Sequence, residues 1–251
     1  MTQLILDKIS VPAELPRLSR PRLLNRLHHS LASCNLSIIN GRAGTGKTLL
    51  VADFARACGR RVAWYKVDAS DSDPLVFFQY LIASINRERP GFGQSWVAEL
   101  PARMAAEDIT QLAESFVYEL LRDTSEPLLL VIDDMHLVYD ADWVVPFFAR
   151  LAPLLPAEAH LMLLGRILPP APLWRMRSKQ TLSVIDEATL AFTVDESRRL
   201  FDSYGLSEAQ TAEAFQRTRG RAALLDAMAG STVAQEKSSG NLSRVPQQVF
   251  A

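Results

Sequence analysis

Eight residues, Gly41-Arg42-Ala43-Gly44-Thr45-Gly46-Lys47-Thr48, constrain this chain more than any other stretch. They fit the pattern G-x-x-x-x-G-K-[ST]. The apolar run Leu36-Ser37-Ile38-Ile39 precedes them and a helical segment from Leu49 to Cys58 follows. That pattern carries weight when a strand leads into a Gly-rich turn and the turn opens a helix. The turn's amides and the helix N-terminus can surround a β-phosphate, and Lys47 can reach the β- and γ-phosphates. The Thr48 hydroxyl is placed to ligate Mg²⁺. Gly41, Gly44, Thr45, Gly46, Lys47, Thr48 and Leu49 are therefore the expected phosphate-binding residues.

With 251 residues the chain can hold one large α/β domain with a small helical appendage. No apolar stretch approaches the roughly 20 residues of a membrane span, and the N-terminus lacks a basic region before its apolar residues. Cys34 and Cys58 are the only cysteines, a usage that fits a reducing cytoplasm and is too sparse for a zinc site. A cytoplasmic protein without a membrane partner is expected. The formal net charge of -1 gives the whole chain no basic footprint for nucleic acid, although Arg17, Arg20, Arg22 and Arg26 lie close together.

Strand and helix patterns alternate through most of the chain. Pro12, Pro16 and Pro21 punctuate an extended arm, and Leu23 to Ala32 reads as a short helix. Strands are expected at 36–40, 61–67, 128–132 and 160–164, with a short fifth at 181–185. Pro74 opens a helix carrying Phe77, Phe78, Leu81 and Ile82. Residues 88–100 read as a loop, followed by one helix of about 20 residues from Ala102 towards Arg122. Val144 to Leu155 is a further helix. Three short helical patterns then cover 194–204, 207–218 and 222–228. The expected division is a nucleotide-binding domain with its arm at 1–190, a helical segment at 191–229 and a polar, disordered tail at 230–251. Such alternation implies an α/β fold with a mostly parallel sheet, its site at the carboxyl edge of the strands.

Asp133 and Asp134 close the aliphatic run Leu128 to Ile132. One carboxylate after such a strand can hold Mg²⁺ through its water shell, and its neighbour can orient or deprotonate an attacking water. Asp133 is assigned to the metal and Asp134 to the water. Arg166 ends the next core strand, where its planar fork suits a γ-phosphate. His136 can contact Asp134. Trp64 reads as core packing, Asp68 as a supporting acid, and Arg20 and Arg22 as groups that can lie against the adenine or the phosphates.

Together these residues resemble the nucleotide-binding domain of the STAND class, the signal-transduction ATPases with numerous domains. Within it they look most like the large ATP-binding LuxR-type regulators. The resemblance is carried by Ser19 to Leu24, Gly41 to Thr48, Ala63 to Asp68 with Asp73 and Pro74, and Phe78 with Tyr80-Leu81. It continues through Val131 to Leu137, Gly165 to Pro169 and Leu190 to Glu196, so it covers roughly residues 10–230. The resemblance implies a P-loop NTPase fold of the additional-strand type, with sheet order 5-1-4-3-2 and a small C-terminal helical segment. It implies ATP or ADP with Mg²⁺ as ligands. Lys47, Asp134 and Arg166 would act in catalysis, and Thr48 and Asp133 at the metal. One departure is Gly220-Arg221, where the family carries Gly-Trp. Such regulators also continue through further domains, including one that binds DNA.

The implied function is an ATP-binding, slowly hydrolysing switch module of a signal-transduction or transcriptional regulator, weak as an isolated ATPase. A regulatory protein or a second copy is the implied macromolecular partner, and no direct DNA binding is expected of this chain. Two other classes remain open at this stage. One is a small-molecule kinase whose acceptor pocket is lined by the Arg87-to-Arg89 loop and the long helix from Ala102. The other is an interaction protein that nucleotide stabilises without useful hydrolysis.

Overall fold

Five apolar runs become five parallel strands: β1 Leu36–Asn40, β2 Arg61–Lys66, β3 Leu128–Asp133, β4 Ala159–Gly165 and β5 Leu182–Ile185. This computed structural model describes residues 4–106, 108–122, 126–174 and 182–242. The sheet order is β2-β3-β4-β1-β5, which is the expected 5-1-4-3-2 read from the opposite edge. Strand β4 inserts between β1 and β3, with Ile38 opposite Leu163 and Leu130 opposite Leu161. Every residue of β3 and β4 is buried, which is why both read as mostly apolar runs, Asp133 and His160 being the polar members.

The helices of the sheet unit are α1 Pro21–Ser33, α2 Lys47–Ala55, α3 Pro74–Glu88, α4 Gln94–Ala106, α5 Ile109–Arg122, α6 Val144–Leu151, α7 Ala171–Trp174 and α8 Glu187–Leu190. Pro21 and Pro74 occupy first-turn positions, where the missing N–H costs no helical hydrogen bond. An aromatic layer ties α3 to α6: Phe78 packs against Phe147 with ring centroids 4.8 Å apart, and Phe77 against Trp143 at 4.7 Å. Trp64 is buried in β2, as its place in the strand implied.

The edge strand β2 is covered by the arm. A 3₁₀ turn at Leu6–Ile9 packs on it and sends Lys8 inward. The Lys8 ammonium lies 2.7 Å from Asp71, 3.0 Å from Asp68 and 4.1 Å from the centre of the Tyr80 ring. Burial works against that charge, but the hydrogen bonds to Asp71 and Asp68 outweigh it and hold its pKa above the ordinary lysine value. Asp68, a supporting acid on sequence grounds, belongs to this clamp.

Three expectations are corrected. Residues 94–100 of the expected loop belong to helix α4 instead, and α4 accommodates Pro101 in its interior. The long helix expected from Ala102 is two helices. Asp108 interrupts it, its carboxylate accepting from the amides of Thr110 and Gln111 at 2.8 and 2.9 Å, which starts α5 afresh. The polar tail expected from residue 230 begins instead as helix, because α11 runs Ala222–Leu242. Residues 243–251 of that tail lie outside the described residues, as does Thr181 of the expected fifth strand.

Contacts divide the chain into two units. The first holds Met1–Ala43 and Lys47–Thr189, and the second holds Gly44–Gly46 and Leu190–Ala251. In the second, α9 Val194–Asp202 starts with a Thr193/Glu196 capping box and α10 Glu208–Thr218 with a Ser207/Gln210 box, each satisfying two first-turn amides. Gly220 has φ +77°, and its carbonyl accepts the Phe192 amide at 2.8 Å. A β-carbon there would lie 2.4 Å from the Phe192 carbonyl oxygen, so glycine is required.

Candidate nucleotide-binding site

The phosphate loop begins where β1 ends. The Gly41 amide donates to the Gly165 carbonyl at 3.2 Å, tying the loop's first residue to the end of β4. Gly44 and Gly46 take φ values of +78° and +82°, the left-handed conformations that turn successive amides towards a common centre. Helix α2 then starts at Lys47, so the loop feeds directly into a helix N-terminus.

Lys47 is buried, and its ammonium donates to the carbonyls of Gly41 at 2.5 Å and Arg42 at 3.2 Å. Burial lowers its pKa, while the nearby carboxylates of Asp133 and Asp134 oppose that shift. The Thr48 hydroxyl donates to Asp133 Oδ2 at 2.9 Å, and the Asp134 amide donates to Asp133 Oδ1 at the same distance. Asp133 is only 1% exposed. Burial pushes its carboxyl up, Asp134 adds to that, and the hydrogen bond from Thr48 works in the other direction. The sheet therefore joins Thr48 and Asp133, separated by 85 residues in sequence, into one oxygen pair.

Asp134 has φ +56°, a left-handed conformation rare outside glycine and tolerated best by Asp and Asn. Its carboxylate faces His136, with Oδ1 3.8 Å from Nδ1, while that of Asp133 faces Thr48. The adjacent acids thus have different surroundings. Burial lowers the His136 pKa, Asp134 opposes the change, and Arg166 and Lys47 add to it. Arg166 is exposed just beyond β4, within electrostatic reach of both Lys47 and His136.

The two arm arginines differ in burial. Arg20 is buried immediately before α1. Arg22 donates to the Thr189 carbonyl at 3.0 Å, at the far end of β5 and α8. The arginines of the expected acceptor pocket are also spoken for: Arg87 donates to the Ile9 carbonyl at 3.1 Å and Arg89 to the Glu126 carbonyl at 2.5 Å.

A pair that sequence reasoning missed lies at the loop itself. Glu187 Oε2 accepts the Arg42 amide at 2.9 Å, and Oε1 accepts Arg42 Nε at 2.8 Å and Nη2 at 2.6 Å. Arg42 fills a position where the motif allows any residue, and Glu187 is 145 residues away. No local pattern could have announced the pair.

The donor set suits a nucleotide with a hard cation. Asp133 is a buried carboxylate with one hydroxyl and one amide for company, and Lys47 is a buried ammonium beside a cradle of main-chain amides. Among the described residues no group of three or more His, Cys, Asp or Glu could hold a metal. A cation here would thus complete its sphere with water and phosphate oxygens, as Mg²⁺ does. Among the same residues no helix is long and apolar enough to cross a membrane.

Comparison with known proteins agrees with this fold. The model of the AAA ATPase domain matches residues 18–164, more than half of the chain. The HTH-type transcriptional regulator MalT of Serratia proteamaculans is 36% identical over 202 residues, and that of Cronobacter sakazakii 34% over the same length. Each alignment covers 79% of this chain, and the chain spans only 22% of the length of either relative. Among solved structures, a Walker-type ATPase of Pyrococcus abyssi superposes with a TM-score of 0.51 at 14% identity, over 93% of this chain and 78% of that one. Drosophila ORC bound to DNA gives 0.53 at 14% identity, over 92% and 58%. At that identity the likeness speaks for the fold alone. With loop, strand order and domain match in agreement, the chain belongs to the AAA ATPase domain family, and its sequence is similar to that of the MalT regulators.

Proposed function

We propose that this chain is the ATP-binding, slowly hydrolysing switch module of a cytoplasmic transcriptional or signal-transduction regulator of the STAND class. The observation that carries the reading is the Thr48–Asp133 pair, 2.9 Å across, beside the buried ammonium of Lys47. The similarity to MalT regulators supports the regulatory setting.

In this reading the amides of Gly44 to Thr48 bind the β-phosphate, and Leu49 continues the helix that presents them. Lys47 exchanges its two carbonyl partners for β- and γ-phosphate oxygens. Thr48 and Asp133 would hold Mg²⁺, which supplies charge neutralisation on the phosphates. Asp134 orients a water for in-line attack on the γ-phosphorus and accepts its proton as the bond to the leaving diphosphate breaks. Arg166 compensates charge on the γ-phosphate. Arg20, and Arg22 on leaving the Thr189 carbonyl, would lie against the adenine or the phosphates. Adenine is inherited from the family likeness, since no Asn-Lys-x-Asp segment for reading guanine occurs.

Nucleotide state would then set whether the helical segment after Leu190 is restrained, and a regulatory protein or a second copy would read that state. DNA contact is left to regions of the regulator other than this one. The direct test is filter binding with radiolabelled ATP and Mg²⁺. Saturable binding that Lys47→Ala weakens is expected, and no detectable binding at millimolar nucleotide would reject the reading.

A further inference from the structure

Resting on that reading, we propose that Arg42 is an additional phosphate ligand of the loop, held off the nucleotide by Glu187. The Gly41–Arg42 peptide is gripped from both sides. Lys47 takes its carbonyl oxygen at 2.5 Å, and Glu187 takes its N–H at 2.9 Å. A carboxylate on the N–H polarises the peptide and makes the opposite oxygen a better acceptor, so Glu187 strengthens the bond that occupies Lys47. The same carboxylate engages the Arg42 fork through Nε and Nη2. Glu187 lies close enough to Lys47 to oppose part of the burial-driven fall in its pKa, so it also sets a negative charge near the anion site.

The grip is built rather than accidental. Glu187 opens α8, whose Thr189 amide and hydroxyl both bond Asp186 Oδ1, at 2.9 and 2.6 Å. The Thr189 carbonyl is held in turn by Arg22. Glu187 therefore sits on a pinned segment, while the Arg42 side chain is 71% exposed and projects from a loop. A guanidinium freed from a carboxylate pairs equally well with phosphate oxygens, because both offer two coplanar acceptors to its fork. Polyphosphate and Glu187 compete for one group.

Titration with N-methylanthraniloyl-ATP and Mg²⁺ tests this in the full chain, with thermal melts confirming that each variant folds. Glu187→Gln keeps the shape and removes the charge, and is expected to tighten binding roughly 3- to 10-fold. Adding Arg42→Ala to Glu187→Gln should cancel that gain. Inorganic tripolyphosphate as competitor should show the same pattern, because the contact is to phosphate. Equal or weaker binding by Glu187→Gln, alongside normal wild-type binding, overturns the inference while leaving the nucleotide site intact. A gain that survives Arg42→Ala overturns it too, since lost repulsion alone would then explain the effect. Failure of both wild type and Glu187→Gln to bind overturns the inference and the nucleotide reading together.

Discussion

Lowering the pH should destabilise this protein through one buried histidine. His160 sits in β4 with 1% exposure, its Nε2 2.9 Å from the Ser37 hydroxyl and its Nδ1 2.8 Å from the Cys34 carbonyl. A neutral ring satisfies both contacts, donating from Nδ1 and accepting at Nε2. Burial lowers its pKa from 6.5 to about 4, and the hydrogen bond to Cys34 only partly offsets that. The unfolded chain takes up a proton as pH falls through 6.5, whereas the native ring does so only near 4. Stability from this residue is therefore complete above pH 6.5 and is lost progressively down to pH 4. At pH 5 the loss is about 2 kcal/mol, rising to about 3 kcal/mol below both values. Urea denaturation of wild type and His160→Gln at pH 7.5 and pH 5 isolates the effect. The constant cost of the substitution cancels in the difference between pH values, and so do the carboxylates common to both proteins. Wild type should lose about 2 kcal/mol more than the variant over that interval. Equal losses within about 0.5 kcal/mol would show that the ring titrates normally and refute the reasoning.

Three further outcomes are expected. Asp134→Ala should retain ATP binding and lose hydrolysis, measured as released phosphate, whereas Lys47→Ala should weaken both; an Asp134→Ala protein that hydrolyses at the wild-type rate removes that residue from the reaction. Lys8→Met leaves Asp71 as a buried, uncompensated carboxylate, and should cost about 3–5 kcal/mol in urea titrations, with a partial rescue by Lys8→Met/Asp71→Asn. Gly220→Ala forces a β-carbon into the Phe192 carbonyl at positive φ, and should lower stability by about 1–3 kcal/mol in the same assay, while Gly205→Ala, which meets nothing within 4 Å, pays only the backbone strain.

The phosphate loop, β1 and the first turn of α2 were legible because everything that forms them is contiguous. Glycines at the positive-φ positions, an apolar strand before and a helix former after are local signals. The same holds for β3 and β4, whose full burial favours mostly aliphatic residues, and for the Asp-Asp pair at the end of β3. Strand order was legible only through family likeness, since nothing in a strand's composition states which neighbour it pairs with. The region 88–122 was misread. Pro90, Gly91, Gly93 and Pro101 argue locally against helix, but Phe92, Trp96 and Leu100 are buried against the aromatic layer, and that tertiary gain overrides the local preference. The polar segment after residue 230 shows a related failure, because composition reported little to bury and helix α11 continues through it all the same.

Residue by residue, the sequence alone supplied the candidate groups: a cradle of amides, one ammonium and one hydroxyl for phosphate, and a pair of acids for a cation and a water. Only the tertiary structure decided which distant groups meet them. Insertion of β4 beside β1 ties Gly165 to Gly41, and the position of β3 hands Asp133 to Thr48. The return of the chain through β5 delivers Glu187 to Arg42 and Thr189 to Arg22. Propensity and motif report the conformation of a few neighbouring residues. A hydrogen bond between groups more than a hundred residues apart depends on how strands pair, and that pairing is settled by the burial of the whole core at once.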